Sequence, residues 1–520
     1  MMGERRHHPC CTPRAGPNLF LERWIVRQDS ILFDPPSGSL SRSVGRGALA
    51  TGGAQGVRLV CQFASVVVLS RLLTPEDFGI VAMAAPVMGF VGLFQDLGLM
   101  QATVQKKHIT HAEVNALFWI NMAISALLAG ILVLIAPLAA QFYGEPGVGL
   151  LVAALSLQII LGGAGGQHHA LLNRRMQFGR LAILDSVAAV AGLGVAIIWA
   201  LLKPGYWALY GGGMTTAVTA TVMAWAASGW RPGWPRWAAG ASSLVRFGAG
   251  ITGFNFANFF ARNLDNVLIG RFRGNVELGL YDRAYKLLLF PLQQVTNPLS
   301  RVMVPALSRM TDEPHRYRHA YLRVAPILLL VTLPGVAMAL AMADVLVPFA
   351  LGQQWSGSAP IFQALGFAGL LQPLNNPGGW LFISQGRSTE FMRWGIVTAV
   401  TSVAAFVIGL PYGAYGVALA YAVSEYLRTP LLWLYIGRRG PVRAEDMARA
   451  AFPFVLGAHI AMGLLWAARP YLPESPLLAL VLGTTLSYLL VIGFAALFKS
   501  GRRTLSECVR LLRRQQAVVP

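Results

Sequence analysis

Apolar runs of about 20 residues recur between residues 47 and 498, each the length a helix needs to cross roughly 30 Å of hydrocarbon. Fourteen are read: 47–70, 80–98, 113–136, 149–170, 182–202, 206–228, 247–269, 286–306, 322–343, 360–383, 394–411, 414–435, 449–468 and 476–498. Inside a bilayer the backbone cannot reach water, so only helices and closed barrels cross it. Runs of this length predict helices. Composition agrees, because hydrophobic residues are 55% and charged residues only 12%, about half the charge a soluble domain carries. The expected fold is an all-α integral membrane protein of about fourteen transmembrane helices. Prolines such as Pro86, Pro291, Pro298, Pro334 and Pro373 fall inside runs, where neighbouring helices can re-satisfy the freed backbone.

The charge pattern orients these spans. The chain has 42 Lys and Arg against 22 Asp and Glu, a net +20. In a soluble chain that excess would suggest nucleic acid. Here the basic residues sit between the apolar runs, so nucleic acid is not an expected partner. The segments 1–46, 99–112, 171–181, 229–246, 307–323, 384–393, 436–449 and 499–520 hold 31 of the 42 Lys and Arg. The alternate segments hold seven, and Arg58, Arg262, Arg301 and Arg428 lie within spans. Cationic loops stay on the cytoplasmic side, so both termini are expected to be cytoplasmic.

Residues 1–46 are polar and lack an apolar run long enough for a signal peptide, which reads as a disordered tail or as sequence upstream of the true start. Residues 499–520 place Leu505, Val509 and Leu512 on one face and arginines largely elsewhere, a basic amphipathic helix suited to membrane lipids of an anionic leaflet. The four cysteines, Cys10, Cys11, Cys61 and Cys508, have neither disulfide-framework nor metal spacing, so no metal or other cofactor is expected. No connecting segment can house a soluble catalytic domain. The phosphate-binding GxxxxGK[ST] and the hydrolytic HExxH and GxSxG strings are absent. A membrane glycosyltransferase or polymerase usually carries a long acidic outer loop, and the outer segments here are short. The chain reads as a transporter rather than an enzyme.

The two halves of the chain echo one another. With an offset of 200 residues, Gly53 matches Gly253, Val67 matches Val267, Arg71 matches Arg271, Gly79 matches Gly279 and Ala84 matches Ala284. These windows cover spans 1–2 and 7–8, an even number of spans apart, so the halves should run parallel about an axis along the membrane normal. Span 1 carries Gln55, Arg58, Gln62 and Ser65. Span 7 carries Asn255, Asn258, Arg262 and Asp265 at the same steps of three, four and three, which put each set on one helical face. Span 8 adds Gln293, Asn297 and Arg301, each four apart. A charged side chain at the bilayer centre costs roughly 2.5–3.5 kcal/mol on insertion scales, so these stripes should face an interior or a watered cavity. Arg58 has no acid at helical spacing. Arg262 with Asp265, and Glu425 with Arg428, are three apart and could pair structurally; Asp96 could carry a coupling proton or merely cap packing; His168 and His169 read as interfacial.

Several strings resemble one family. Ser70-Arg71-Leu72-Leu73-Thr74-Pro75-Glu76-Asp77-Phe78-Gly79, Gln141-Phe142-Tyr143-Gly144 and Asn173-Arg174-Arg175-Met176-Gln177-Phe178 do so. So do Arg262-Asn263-Leu264-Asp265-Asn266-Val267-Leu268-Ile269-Gly270-Arg271-Phe272, Leu278-Gly279-Leu280-Tyr281-Asp282-Arg283-Ala284-Tyr285 and Val304-Pro305-Ala306-Leu307-Ser308-Arg309. The resemblance, from about residue 42 to about 440, is to the bacterial lipid-linked oligosaccharide flippases of the polysaccharide transport family, colanic-acid-exporter type. Their superfamily also holds the multidrug and toxic-compound extruders.

That resemblance implies two six-helix lobes, 47–228 and 247–435, around a central cavity, with two further helices at 449–498 and alternating access. It implies an undecaprenyl-diphosphate-linked oligosaccharide as substrate, moved across the bacterial inner membrane for exopolysaccharide, capsule or lipopolysaccharide synthesis, with a polysaccharide polymerase as a candidate partner. Arg suits a diphosphate through its bidentate fork, so Arg58, Arg262 and Arg301 are the expected phosphate ligands. Gln55, Gln62, Asn255, Asn258, Gln293 and Asn297 can bond sugar hydroxyls, and Asp265 and Asp96 could take up a coupling ion. The alternative is a drug or cation antiporter of the same superfamily. Such pumps need acidic cavity residues, whereas these stripes carry arginines.

Overall fold

The computed structural model describes the backbone at 40–95, 98–106, 108–235 and 241–516, and the side chains there except at 40–51, 241–262 and 511–516. Among the described residues the chain is helical, with no strand. The helices are α1 Leu40–Leu72, α2 Pro75–Gln95, α3 Leu99–Gln105, α4 His111–Tyr143, α5 Pro146–Arg174, α6 Phe178–Leu202, α7 Tyr206–Ser228 and α8 Ala241–Ser308. They continue as α9 Pro314–Ala341, α10 Ala343–Leu351, α11 Ser358–Ser384, α12 Ser388–Gly409, α13 Gly413–Gly437, α14 Ala444–Ala468, α15 Pro476–Ala496 and α16 Lys499–Gln516. Nine stretches among the described residues are long and apolar enough to cross a membrane.

Local chemistry sets the helix ends. Thr110 and Glu113 form a reciprocal capping box at the start of α4. Asp77 accepts hydrogen bonds from the Thr74 backbone N–H and hydroxyl at 3.0 and 2.8 Å, fixing the turn into α2. Prolines open α5, α9 and α15 at the first helical positions, where a missing N–H costs nothing.

The expected spans 247–269 and 286–306 are the two arms of α8. Its one non-helical residue is Gly274, at φ 87° and ψ −179°, a conformation only glycine adopts readily. In a straight helix Asp265 and Tyr281 would stand about 24 Å apart. Instead the Tyr281 hydroxyl donates to Asp265 at 3.0 Å, so the arms fold back on one another.

Helices α1 to α7 pack largely among themselves, chiefly α4 on α5, α6 on α7, α1 on α6 and α5 on α7. In the remainder, α11 packs on α8 and α13, α12 on α13, and α14 on α9 and α15. The broadest contact between the two sets is α2 against α8. One apolar core unites them, with Leu69, Phe78 and Met83 from the first set and Ile269, Leu278, Tyr281 and Leu365 from the second.

The interhelical turns at 72–75, 143–146, 202–206, 273–275, 342–357 and 409–413 share one face, and polar bonds knit the two sets together there. Trp355 donates its indole N–H to the Ser70 carbonyl at 2.7 Å, and Arg71 donates to the Phe349 carbonyl at 2.5 Å. Asn275 donates to Glu145 at 3.2 Å. Arg283 lies over the Phe78 ring at 4.0 Å, and Phe78 meets Trp355 edge-on at 5.5 Å. The opposite face carries the basic segments.

On that basic face α16 is seated on protein. Leu505 and Cys508 pack against the main core. Glu507 pairs with Arg323 of α9 at 3.5 Å and with Arg503 at 3.6 Å. Leu505, expected toward the leaflet, is partly buried against helices instead. Val509 stays exposed.

Candidate functional site

The polar stripe of α1 projects from a helix whose described contacts are mainly with α6. Gln55, Arg58 and Gln62 are all exposed rather than packed. Arg58, Cys61, Gln62 and Ser65 line an open cavity of about 340 Å³, bordered on α6 and α7 by residues that include Gly192, Leu193 and Thr216. Arg58, Gln62 and Ser65 of the stripe thus face a space between α1, α6 and α7.

Arg58 is not without an acid. Its Nη2 stands 3.3 Å from Asp185 Oδ2 on α6. The partner comes from another helix, 127 residues along the chain, where spacing within α1 could not reveal it.

Asp265 is buried and accepts from the Asn266 backbone N–H at 2.8 Å as well as from Tyr281. Gln293, Asn297 and Arg301 are exposed along the second arm of α8. The two helices meet at Phe63 and Phe290, whose ring centroids are 6.3 Å apart. Gln62 adjoins Phe63 in sequence, and Gln293 lies one turn after Phe290. Asp96, and the side chains of Asn255, Asn258 and Arg262, lie outside the described residues.

Other charges have structural partners. Glu425 and Arg428 form an ion pair, and Arg428 also donates to the Thr398 carbonyl at 2.9 Å and to Ser402 at 2.7 Å. His168 is fully buried within the protein: it bonds Ser228 at 2.8 Å, and its ring lies 4.5 Å from Trp225 and 5.1 Å from Trp230. Those tryptophans build an aromatic box that hydropathy along one helix cannot foresee.

Two features escaped the sequence reading. Asp185 left no local signal. Asp282, which pairs with Arg283 at 3.1 Å and Lys286 at 2.8 Å, left one in its i,i+4 spacing to the lysine. Among the described residues no cluster of His, Cys, Asp and Glu could hold a metal ion.

A helical bundle with long apolar helices, two sets of which meet at α2 and α8, and with an arginine beside an interhelical cavity is an arrangement suited to a membrane transporter. Residues 68–360 match the family described as "Polysaccharide biosynthesis protein", and the chain belongs to that family. It is 24% identical over 367 residues to the lipopolysaccharide biosynthesis protein WzxC of Escherichia coli (strain K12), covering 70% of this chain and 75% of that one. It is 28% identical over 400 residues to the succinoglycan biosynthesis transport protein ExoT of Rhizobium meliloti (strain 1021), covering 76% and 77%. Among solved structures it resembles the lipid II flippase MurJ in an inward closed conformation, with a TM-score of 0.67 at 12% identity over 87% of this chain and 98% of that one. An inward-facing multidrug resistance MATE family transporter matches with a TM-score of 0.57 at 14% identity, covering 75% and 96%. These last two likenesses are of fold.

Proposed function

We propose that the protein flips a lipid-linked oligosaccharide across the bacterial inner membrane by alternating access, in the service of polysaccharide synthesis. The observation that carries this is the guanidinium of Arg58 on a polar stripe beside a cavity. A lipid diphosphate bears about two negative charges and cannot cross hydrocarbon without fixed cations to receive it. Amides at Gln55, Gln62, Gln293 and Asn297 are suited to sugar hydroxyls. Membership of a polysaccharide biosynthesis family, with relatives named for lipopolysaccharide biosynthesis and succinoglycan transport, supports the same substrate class.

In this reading fourteen helices cross the membrane as lobes 47–228 and 247–435 and a terminal pair at 449–498, with both termini cytoplasmic. The basic face is then the cytoplasmic one, as the positive-inside rule favours. Arg262 and Arg301 assist Arg58, Asp265 and Asp96 are the candidates for ion coupling, and a polysaccharide polymerase receives the product outside. The protein performs no bond-making chemistry.

The test is a deletion strain. Lipid-linked repeat units should accumulate on the cytoplasmic side, and the gene should restore export. A strain with normal export and altered resistance to cationic drugs would favour the antiporter reading, which the MATE-like fold alone would allow.

A further inference from the structure

We propose that Asp185 is a built-in competitor of the substrate's phosphate for Arg58, and that the cavity between α1, α6 and α7 is the site where a phosphate displaces it. The inference rests on the flippase reading and adds to it a residue and a place.

The ion pair is loose. One nitrogen of Arg58 reaches one oxygen of Asp185 at 3.3 Å, with the side chains 50% and 30% exposed. A phosphate can engage a guanidinium through two parallel bonds with more charge, so it should win this contest. The other donors of Arg58, the Gln62 amide and the Ser65 hydroxyl take no protein partner among the described residues, and all three side chains line the same cavity. Its volume of about 340 Å³ falls within the roughly 300–1,000 Å³ of small-ligand pockets, room for a phosphate with an adjoining sugar ring. Before substrate arrives, a bare arginine at this depth would be costly. The Asp185 carboxylate neutralises it and leaves when a stronger anion enters.

Cys61 lines the cavity and reports on its occupancy. Full-length protein in lipid nanodiscs is treated with a maleimide against rising inorganic pyrophosphate at constant ionic strength. Labelling is read by mass spectrometry at Cys61, with Cys61→Ser as the blank. Pyrophosphate should slow the labelling. Asp185→Asn should lower the protecting midpoint about fivefold, the upper end for removing one partner of a half-exposed pair. Asp185→Glu keeps the anion and should stay near the wild-type midpoint, and Arg58→Gln should abolish protection. Equal midpoints in the wild type and in Asp185→Asn overturn the proposal. So does absence of protection in the wild type, a result that needs no folded variant. Lost protection with intact glycolipid export sinks this inference alone, whereas protection without export sinks the flippase reading.

Discussion

Gly79 of α2 and Gly279 of α8 cross with no room for a side chain on either. A Cβ on Gly79 would lie 1.9 Å from the Asn275 carbonyl oxygen, and one on Gly279 would lie 1.9 Å from that of Pro75 and 3.1 Å from the Gly79 nitrogen. Both glycines, and both of the residues they meet, are 200 positions apart. The contact is reciprocal, as in a two-fold interface, but built within one chain. Backbone against backbone at this point draws the two halves together at the turn face.

Gly79→Ala or Gly279→Ala should force the helices apart, because the obstructing atoms are main chain and cannot rotate away. Overpacking of this kind costs about 1–3 kcal/mol. The expected outcome is a lower unfolding temperature in detergent and a lower yield of a disulfide engineered across the α2–α8 crossing. An unchanged yield in both variants would show that the crossing does not depend on the glycines.

Arg58→Ala and Arg262→Ala should each fail to restore polysaccharide export in a deletion strain while reaching the membrane in normal amounts. Arg58→Lys should restore only part of it, since an ammonium keeps the charge and loses the fork. Full complementation by both alanine variants would remove them as phosphate ligands and leave the transport function standing.

The Glu425–Arg428 pair makes a different prediction. Both side chains are nearly buried, and Arg428 also holds Thr398, Thr401 and Ser402. Arg428→Ala leaves the Glu425 carboxylate without its arginine and with the Asn375 amide as donor at 3.1 Å, a loss of about 3–5 kcal/mol for breaking a buried pair. Glu425→Leu together with Arg428→Met should recover much of it. Thermal unfolding of the two variants checks this, and an Arg428→Ala protein as stable as the wild type would refute it.

Cys508 should alkylate slowly. Burial, and then the neighbouring Glu507 carboxylate, push its thiol above the usual range, so little thiolate exists near neutral pH. Because the folded value is raised, its share of stability is intact below the ordinary thiol pKa and fades as pH rises through the folded one. Gly501→Val, which would collide with the Ala495 carbonyl, should undock α16 and speed both Cys508 alkylation and tryptic cleavage at Arg502 and Arg503. Unaltered rates would mean the helix is held otherwise.

Run length and charge alternation alone determined that this chain is a membrane-embedded helical protein, because the bilayer's thickness and the cost of unpaired backbone admit few other solutions. The steps of three and four also determined that Gln55, Arg58, Gln62 and Ser65 share a face, since that follows from helical pitch. Tertiary structure decided what the face meets. Asp185 reaches Arg58 from a distant helix, Trp225 and Trp230 enclose His168, and Glu507 turns part of the basic tail onto α9. Each of these partners is remote in sequence. Periodicity reports the direction in which a residue points along its own helix, whereas the charge or ring waiting there is fixed by how the helices pack.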